Sequence, residues 1–284
     1  MKRFRRLSKG NPSSCCVLQV RDFKTEEERR TAVIIRYLTL EKFLSLLELE
    51  AVWFSRLGAL QDKFEGTLPE KARELSQADD HRIAIEIPEP RLRPALLKMT
   101  EQGVESCRNH TAVNCWFLGT EESEQMWRDY GQAGTGVAVR STVKRLSASF
   151  QIAGDFAATT AIGCVKYVDF DLHEIEPTES RKIEGKAFLK IKSLEWEREV
   201  RVVTMNILHS GCLNPDGSHV DDAQVSHSDP NRKGFYLKCR LPELVEAVIV
   251  GPQAAPHFFT LVKRLVSRYR LFVDVERSKF SQAS

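Results

Sequence analysis

The chain reads as an α+β protein, because short β-branched runs alternate with amphipathic helical segments and a strand–helix–strand pattern closes it. "AVIIRYLT" (Ala32–Thr39) is a β-branched run that passes into "LEKFLSLLELEA", where Leu40, Phe43, Leu44 and Leu47 repeat at helical spacing. The middle is rich in strand-like segments, and the end reads as strand "LVEAVIVG", helix "PHFFTLVKRLVSRY" and strand "RLFVDVE". A single α+β domain over 31–284 is the simplest organisation. It follows a basic, polar tail over 1–30 and carries a polar insertion near 209–233.

Taken in order, Thr39 is placed to cap the first long helix, although Lys42 rather than an acid stands at the box position. "AVWFS" (Ala51–Ser55) is the next strand and leads into the loop "RLGALQDKFEG". A charged, proline-bearing section to about residue 93 reads as helix with loops, and "RPALLKMTEQGVESC" as a further helix. "TAVNCWFLG" is a strand. "TEESEQMWRDYG" is a helix with Thr120 and Ser123 as alternative caps and Gly131 as its stop. "GTGVAVR" and "AIGCVKYVDF" are strands, and "ESRKIEGKAFLKIKSLEW" reads as helix to about Ser193.

Composition excludes more than it selects. A chain of 284 residues with 42% hydrophobic and 29% charged residues has ample material for a buried core. The formal net charge of +3 is too small to imply nucleic acid, and most of the excess lies in "MKRFRRLSKG". That segment lacks the apolar core of a signal peptide and no run is long enough to span a bilayer, so a cytoplasmic protein without a membrane partner is expected. Seven cysteines without a C-x-x-C pair fit that compartment, and Cys115, Cys164 and Cys239 read as small buried thiols.

The segment "SLEWEREVRVVT" (Ser193–Thr204) raises the sharpest question. As one continuous strand it would place Glu195, Glu197, Glu199 and Arg201 on one face and Trp196, Val200 and Val202 on the other. Either the charged face is a solvated edge, or it lines a site.

Five segments bear on that choice: "IIRYLT", "WFSRLGALQDKFEG", "CWF…EQMWRDYG…GTGVAV", "CVKYVDF" and "KIKSLEWEREVRVV". Their order resembles an uncharacterised bacterial family, domain of unknown function twenty-nine seventy-one, over roughly 33–204, with "VEAVIVGP" also similar. The family pattern N-D-P-F-E is met by Gln61, Asp62, Lys63, Phe64 and Glu65, so the stiffening proline is missing. Its C-F-S is met by Cys115, Trp116 and Phe117, so the serine hydroxyl is missing too.

More distantly, the order of elements resembles the ADP-ribosyltransferase fold, which implies a split pair of small mixed or antiparallel sheets flanked by helices, here with a C-terminal β-α-β addition. The resemblance implies NAD as substrate, held in the cleft between the sheets. Arg36 would bind ribose or phosphate, Tyr37 and Ser55 would line the cleft, and Trp127 and Tyr130 would flank nicotinamide. Glu199 would be the catalytic carboxylate with Glu197 assisting, and Asp62, Glu65 and Arg201 are further candidates for the ligand site. It implies an NAD-dependent transferase or NAD glycohydrolase, a bacterial toxin or phage-defence effector whose acceptor (protein, nucleic acid or small molecule) stays open. The residue types suit the reaction. Loss of nicotinamide builds positive charge on the ribose, which a fixed carboxylate stabilises, while a guanidinium suits a phosphate or diol.

Each pick has a plainer role. Arg36 suits a surface cation, Ser55 a strand-end hydroxyl, and Trp127 and Tyr130 a helix core. Asp62 and Glu65 suit a helix cap or a pair with Arg56. The second reading is therefore a non-catalytic binding or regulatory module in which the charged strand carries a structural ion-pair network. Other motifs are weaker. "GQAGTGVAV" precedes a strand, not a helix, and reads as a turn rather than a phosphate loop. His219, Asp221, Asp222, His227 and Asp229 read as a solvated loop, and no metal site is expected. No G-x-S-x-G elbow is present.

Overall fold

The computed structural model describes residues 19–21, 23, 25–95, 97–98, 108–150, 160–180, 182, 184–204, 212–213, 216–218 and 233–281. Most of the N-terminal tail, residues 99–107 of the "RPALLKMTEQGVESC" helix and most of the insertion, including His219, Asp221, Asp222, His227 and Asp229, lie outside them. Among the described residues no helix is long and apolar enough to cross a membrane.

The strands are β1 (Gln19–Arg21), β2 (Val33–Leu38), β3 (Ala51–Arg56), β4 (Ala112–Leu118), β5 (Val137–Thr142), β6 (Thr160–Cys164) and β7 (Lys166–Val168). They continue with β8 (Leu189–Ile191), β9 (Glu199–Thr204), β10 (Cys212–Leu213), β11 (Gly234–Lys238), β12 (Ala247–Val250) and β13 (Asp274–Arg277). Eleven of them join one mixed sheet ordered β1-β6-β9-β4-β2-β5-β12-β13, from which β3, β11 and β10 branch at β4; β7 and β8 form a separate parallel pair. The α+β class is thus present, as is the closing unit β12, helix Pro256–Arg268, β13, whose strands pair in parallel.

The strands do not divide into two separate small sheets, because β4 is long enough to pair with two strands along one edge. Its Ala112 and Val113 pair with β3, its Phe117 and Leu118 pair with β2, and β9 runs along its other edge from Ala112 to Phe117. The split expected from the resemblance is present only as a fork between β2 and β3.

Helices cover one face of the sheet. Thr39 caps Leu40–Leu49 by accepting from Lys42 N, and the helix buries Phe43, Leu46 and Leu47. Phe258, Val262 and Val266, at four-residue spacing, seat the Pro256–Arg268 helix. These residues pack with Ile34, Leu38, Phe54, Trp116, Val200, Val202 and Val248 into the main core. A helix over Val143–Ser149, capped by Thr142, and strand β11 also join this core.

The opposite face carries two smaller apolar clusters. One holds Ile35, Tyr37, Phe117, Met126, Trp127, Ala138 and Ile249; the other holds Leu57, Val113, Ala161, Phe188 and Val203. Between them the sheet turns its charged residues inward.

Candidate functional site

The segment around the paired glutamates is shorter as a strand than its pattern implies. Leu189–Ile191 is β8, Lys192–Glu197 is a 3₁₀ turn, and Arg198 takes the left-handed conformation at φ 41° before β9 begins at Glu199. The helix expected up to Ser193 is present only as the short helices Pro177–Ser180 and Glu184–Ala187, and from Leu189 a strand and a tight turn replace it. Glu195 leaves the shared face and pairs at the surface with Lys192. Glu197 reaches the face of Glu199 through the turn, not through strand alternation.

Register fixes what that face meets. Glu199 lies opposite Phe117 and Arg201 opposite Cys115 on β4, while Val200 and Val202 point into the main core. Arg201 is fully buried and uses all five of its N–H donors. Nη1 donates to Glu65 Oε2 at 2.7 Å and to the Ala187 carbonyl at 2.7 Å. Nη2 donates to Glu65 Oε1 at 2.6 Å and Glu199 Oε2 at 3.2 Å, and Nε to Glu199 Oε1 at 2.7 Å. Lys190 donates to Glu197 Oε2 and, at 3.1 Å, to Glu199 Oε2, and lies 3.5 Å from Glu65 Oε1. Tyr167 accepts from the Glu199 backbone N–H at 2.8 Å.

Glu65 reaches this network because its loop is pinned locally. Asp62 Oδ1 accepts from Phe64 N at 2.9 Å, the Asp62 carbonyl accepts from Glu65 N, and Gly66 takes the left-handed φ of 72°. The missing proline is thus replaced by an aspartate turn. Asp62 itself orients Glu65 and stays outside the ion network.

Burial alone would raise the Glu199 carboxyl, but Arg201 and Lys190 overcome it and hold the group at about 2. The same pairing keeps Lys190 and Arg201 above their ordinary values despite their burial. Burial, then the neighbouring Glu199 charge, pushes the Cys115 thiol well up.

Tyr130 is the solvent-facing member. Its hydroxyl donates to Glu197 Oε1 at 2.6 Å, its ring is 44% exposed, and half-buried Trp196 lies 6.4 Å away at 33°. Burial and the Glu197 partner push its phenol up, so it stays a neutral donor. The expected helix is present, capped by Ser123 and ending at Gly131, but its second half is wound as a π turn. Glu124–Met126 is the α-helical part and Trp127–Gly131 the π part. A Cβ at Gly131 would sit 2.4 Å from Trp127 Cε3, and one at Gly136 only 1.3 Å from the Gly131 carbonyl oxygen. The glycine-rich stretch is the turn that the sequence suggests, folded back so that Tyr130 meets Glu197. Gly136→Ala is expected to displace it and cost about 1–3 kcal/mol, read as a lower midpoint in urea unfolding.

The remaining picks lie elsewhere. Tyr37 and Trp127 are core residues packed edge to face at 4.9 Å; Tyr37 Oη accepts from Ser123 N and Trp127 Nε1 donates to Glu122. Neither offers a ring to a nicotinamide. Ser55 Oγ accepts from Trp53 Nε1 at 2.8 Å, the local role of a strand hydroxyl. Arg36 points to the opposite face of the sheet from Glu199: it stacks over Trp116, which alternates with Phe117, the residue opposite Glu199. The structure therefore gathers Glu65, Glu197, Glu199, Arg201 and Tyr130 and leaves Arg36, Tyr37, Ser55 and Trp127 outside. Comparison with protein-family models, curated proteins and solved structures finds no match.

Lys190, Tyr167 and Cys115 belong to the cluster but carry little signal in the sequence. Lys190 sits in a stretch that reads as helix, and Cys115 reads as an ordinary buried thiol.

Proposed function

We propose that the chain is a non-catalytic binding or regulatory module in which the Glu65–Lys190–Glu197–Glu199–Arg201 network is the structural keystone. The observation that carries this reading is the saturation of Glu199. Arg201 holds both of its oxygens and Lys190 one of them, so a ribose hydroxyl reaches it only if a buried ion pair opens. Opening such a pair without replacing its partner costs about 3–5 kcal/mol.

The second reading is an NAD-dependent ADP-ribosyltransferase or NAD glycohydrolase on a related fold. It is favoured by one observation: the exposed Tyr130 places its hydroxyl on Glu197, beside the Trp196 ring. On that reading Glu197, not Glu199, is the working carboxylate, and Lys190 and Tyr130 orient it.

Incubating the purified full chain with NAD, with and without lysate, RNA or DNA as acceptor, and measuring free nicotinamide separates the two. The module reading expects none above the blank. Nicotinamide release that disappears in Glu197→Gln, with the unfolding midpoint kept, overturns it in favour of the enzyme.

A further inference from the structure

The small net charge hides a segregation on the side of the sheet away from Glu197 and Glu199. Between Pro256 and Val273 stand Lys263, Arg264, Arg268 and Arg270, and no acid. The Pro256–Arg268 helix commits Phe258, Val262 and Val266 to the core, which turns Lys263, Arg264, Ser267 and Arg268 to solvent over its last two turns. Arg270, just beyond the helix end, is exposed as well. Among the described residues none of these four cations pairs with a carboxylate. Of the acids on the flanking elements, Glu48 accepts from the Tyr269 hydroxyl and Glu276 is held by Arg140, leaving Asp274. Helix stability does not account for the pattern. A cation such as Arg268 is favourable in the last turn, but the first turn, where an acid is favourable, has none.

The turn that follows the helix is tied down. Tyr269 N donates to the Leu265 carbonyl, Arg270 N to that of Ser267 and Leu271 N to that of Val266, with Arg270 left-handed at φ 52°. Leu271 enters the core, and the next residue, Phe272, stands 94% exposed. One exposed phenylalanine is unremarkable; one held by a fixed turn at the end of a row of cations is a different feature. A second ring, Phe259, is half-buried on the same helix, with the Arg277 guanidinium 4.5 Å and the Lys263 ammonium 5.2 Å from its centroid.

We propose that this surface binds single-stranded nucleic acid, with phosphates along Lys263, Arg264, Arg268 and Arg270 and an unstacked base on Phe272. Exposed cations neutralise phosphates whatever the sequence, and a free ring stacks on any base. A duplex keeps its bases stacked inside and gives the ring no partner. A bilayer suits the surface less, because the apolar stripe of the helix is already spent on the core. The surface lies on the opposite side of the sheet from Glu199, so it stands whichever reading of that cluster holds.

Fluorescence anisotropy of a fluorescein-labelled oligothymidylate titrated with the full chain tests the surface. Wild type is expected to bind with a Kd on the order of micromolar at low salt, with a slope of log K against log salt of about −3, as for four single-strand phosphates. The combined variant Lys263→Gln, Arg264→Gln, Arg268→Gln, Arg270→Gln is expected to lose about tenfold or more and to flatten the slope. Phe272→Ser is expected to lose about tenfold with the slope unchanged, because a stacked ring carries no charge. Removing four exposed cations elsewhere, by Lys71→Gln, Arg73→Gln, Arg82→Gln and Arg91→Gln, is expected to leave binding as in wild type. No binding at low salt overturns the proposal, as does an equal loss in the two fourfold variants or a Phe272→Ser protein that binds like wild type. Tighter binding of the matching duplex overturns it in favour of double-stranded nucleic acid. Binding of phosphatidylserine vesicles without binding of the oligonucleotide overturns it in favour of a membrane.

Discussion

Arg201→Met is expected to be the most damaging single change in the protein, costing about 3–5 kcal/mol or preventing folding outright. The guanidinium is fully buried, and its removal strands two carboxylates at once: Glu65 loses both of its close donors and Glu199 loses two of its three nitrogen donors. The loss comes from the partners left behind, so adding Glu65→Gln should recover part of it. Urea unfolding of wild type, the single variant and the pair measures both effects. A single variant that unfolds like wild type would show that the network adds nothing to stability.

Glu199→Gln comes second, and its signature lies in acid. The native carboxyl is held at about 2 against an ordinary 4.5. A depressed native value contributes stability above the unfolded value that is lost as pH falls through the native one. At neutral pH the difference amounts to about 3 kcal/mol, and it fades between about pH 4.5 and 2. Glu199→Gln is therefore expected to be less stable by that amount at pH 7, to show a shallower acid limb, and to converge on wild type near pH 2. Parallel acid limbs in the two proteins would rule out this account.

The elements with clean periodicity are legible in the amino-acid order. The helix after Thr39, the strands at Val33–Leu38 and Ala51–Arg56, and the closing strand–helix–strand unit all follow from apolar spacing and capping. The region leading into β9 is not, because β8 is only three residues long and its charged flanks mimic a solvated helix. Of the site, Glu199 and Arg201 fall on one face as alternation expects, because residues two apart in a strand share a side. Glu197 reaches the same place by a turn that alternation cannot describe. Order along the chain groups Arg36 with them, whereas its face is set by its register with Val139 of β5, which no local pattern encodes. Glu65 depends on a loop 136 residues from Arg201, a contact invisible to any window of sequence.

That separation has a consequence for the route to the native state. Closing a loop of this length is entropically costly and must precede the Glu65–Arg201 pair, so that pair does not nucleate the fold. Arg201 sits where β4 and β9 pair, and the Glu65 loop closes over it. That long-range pair holds the finished structure shut; it does not help the chain to reach it.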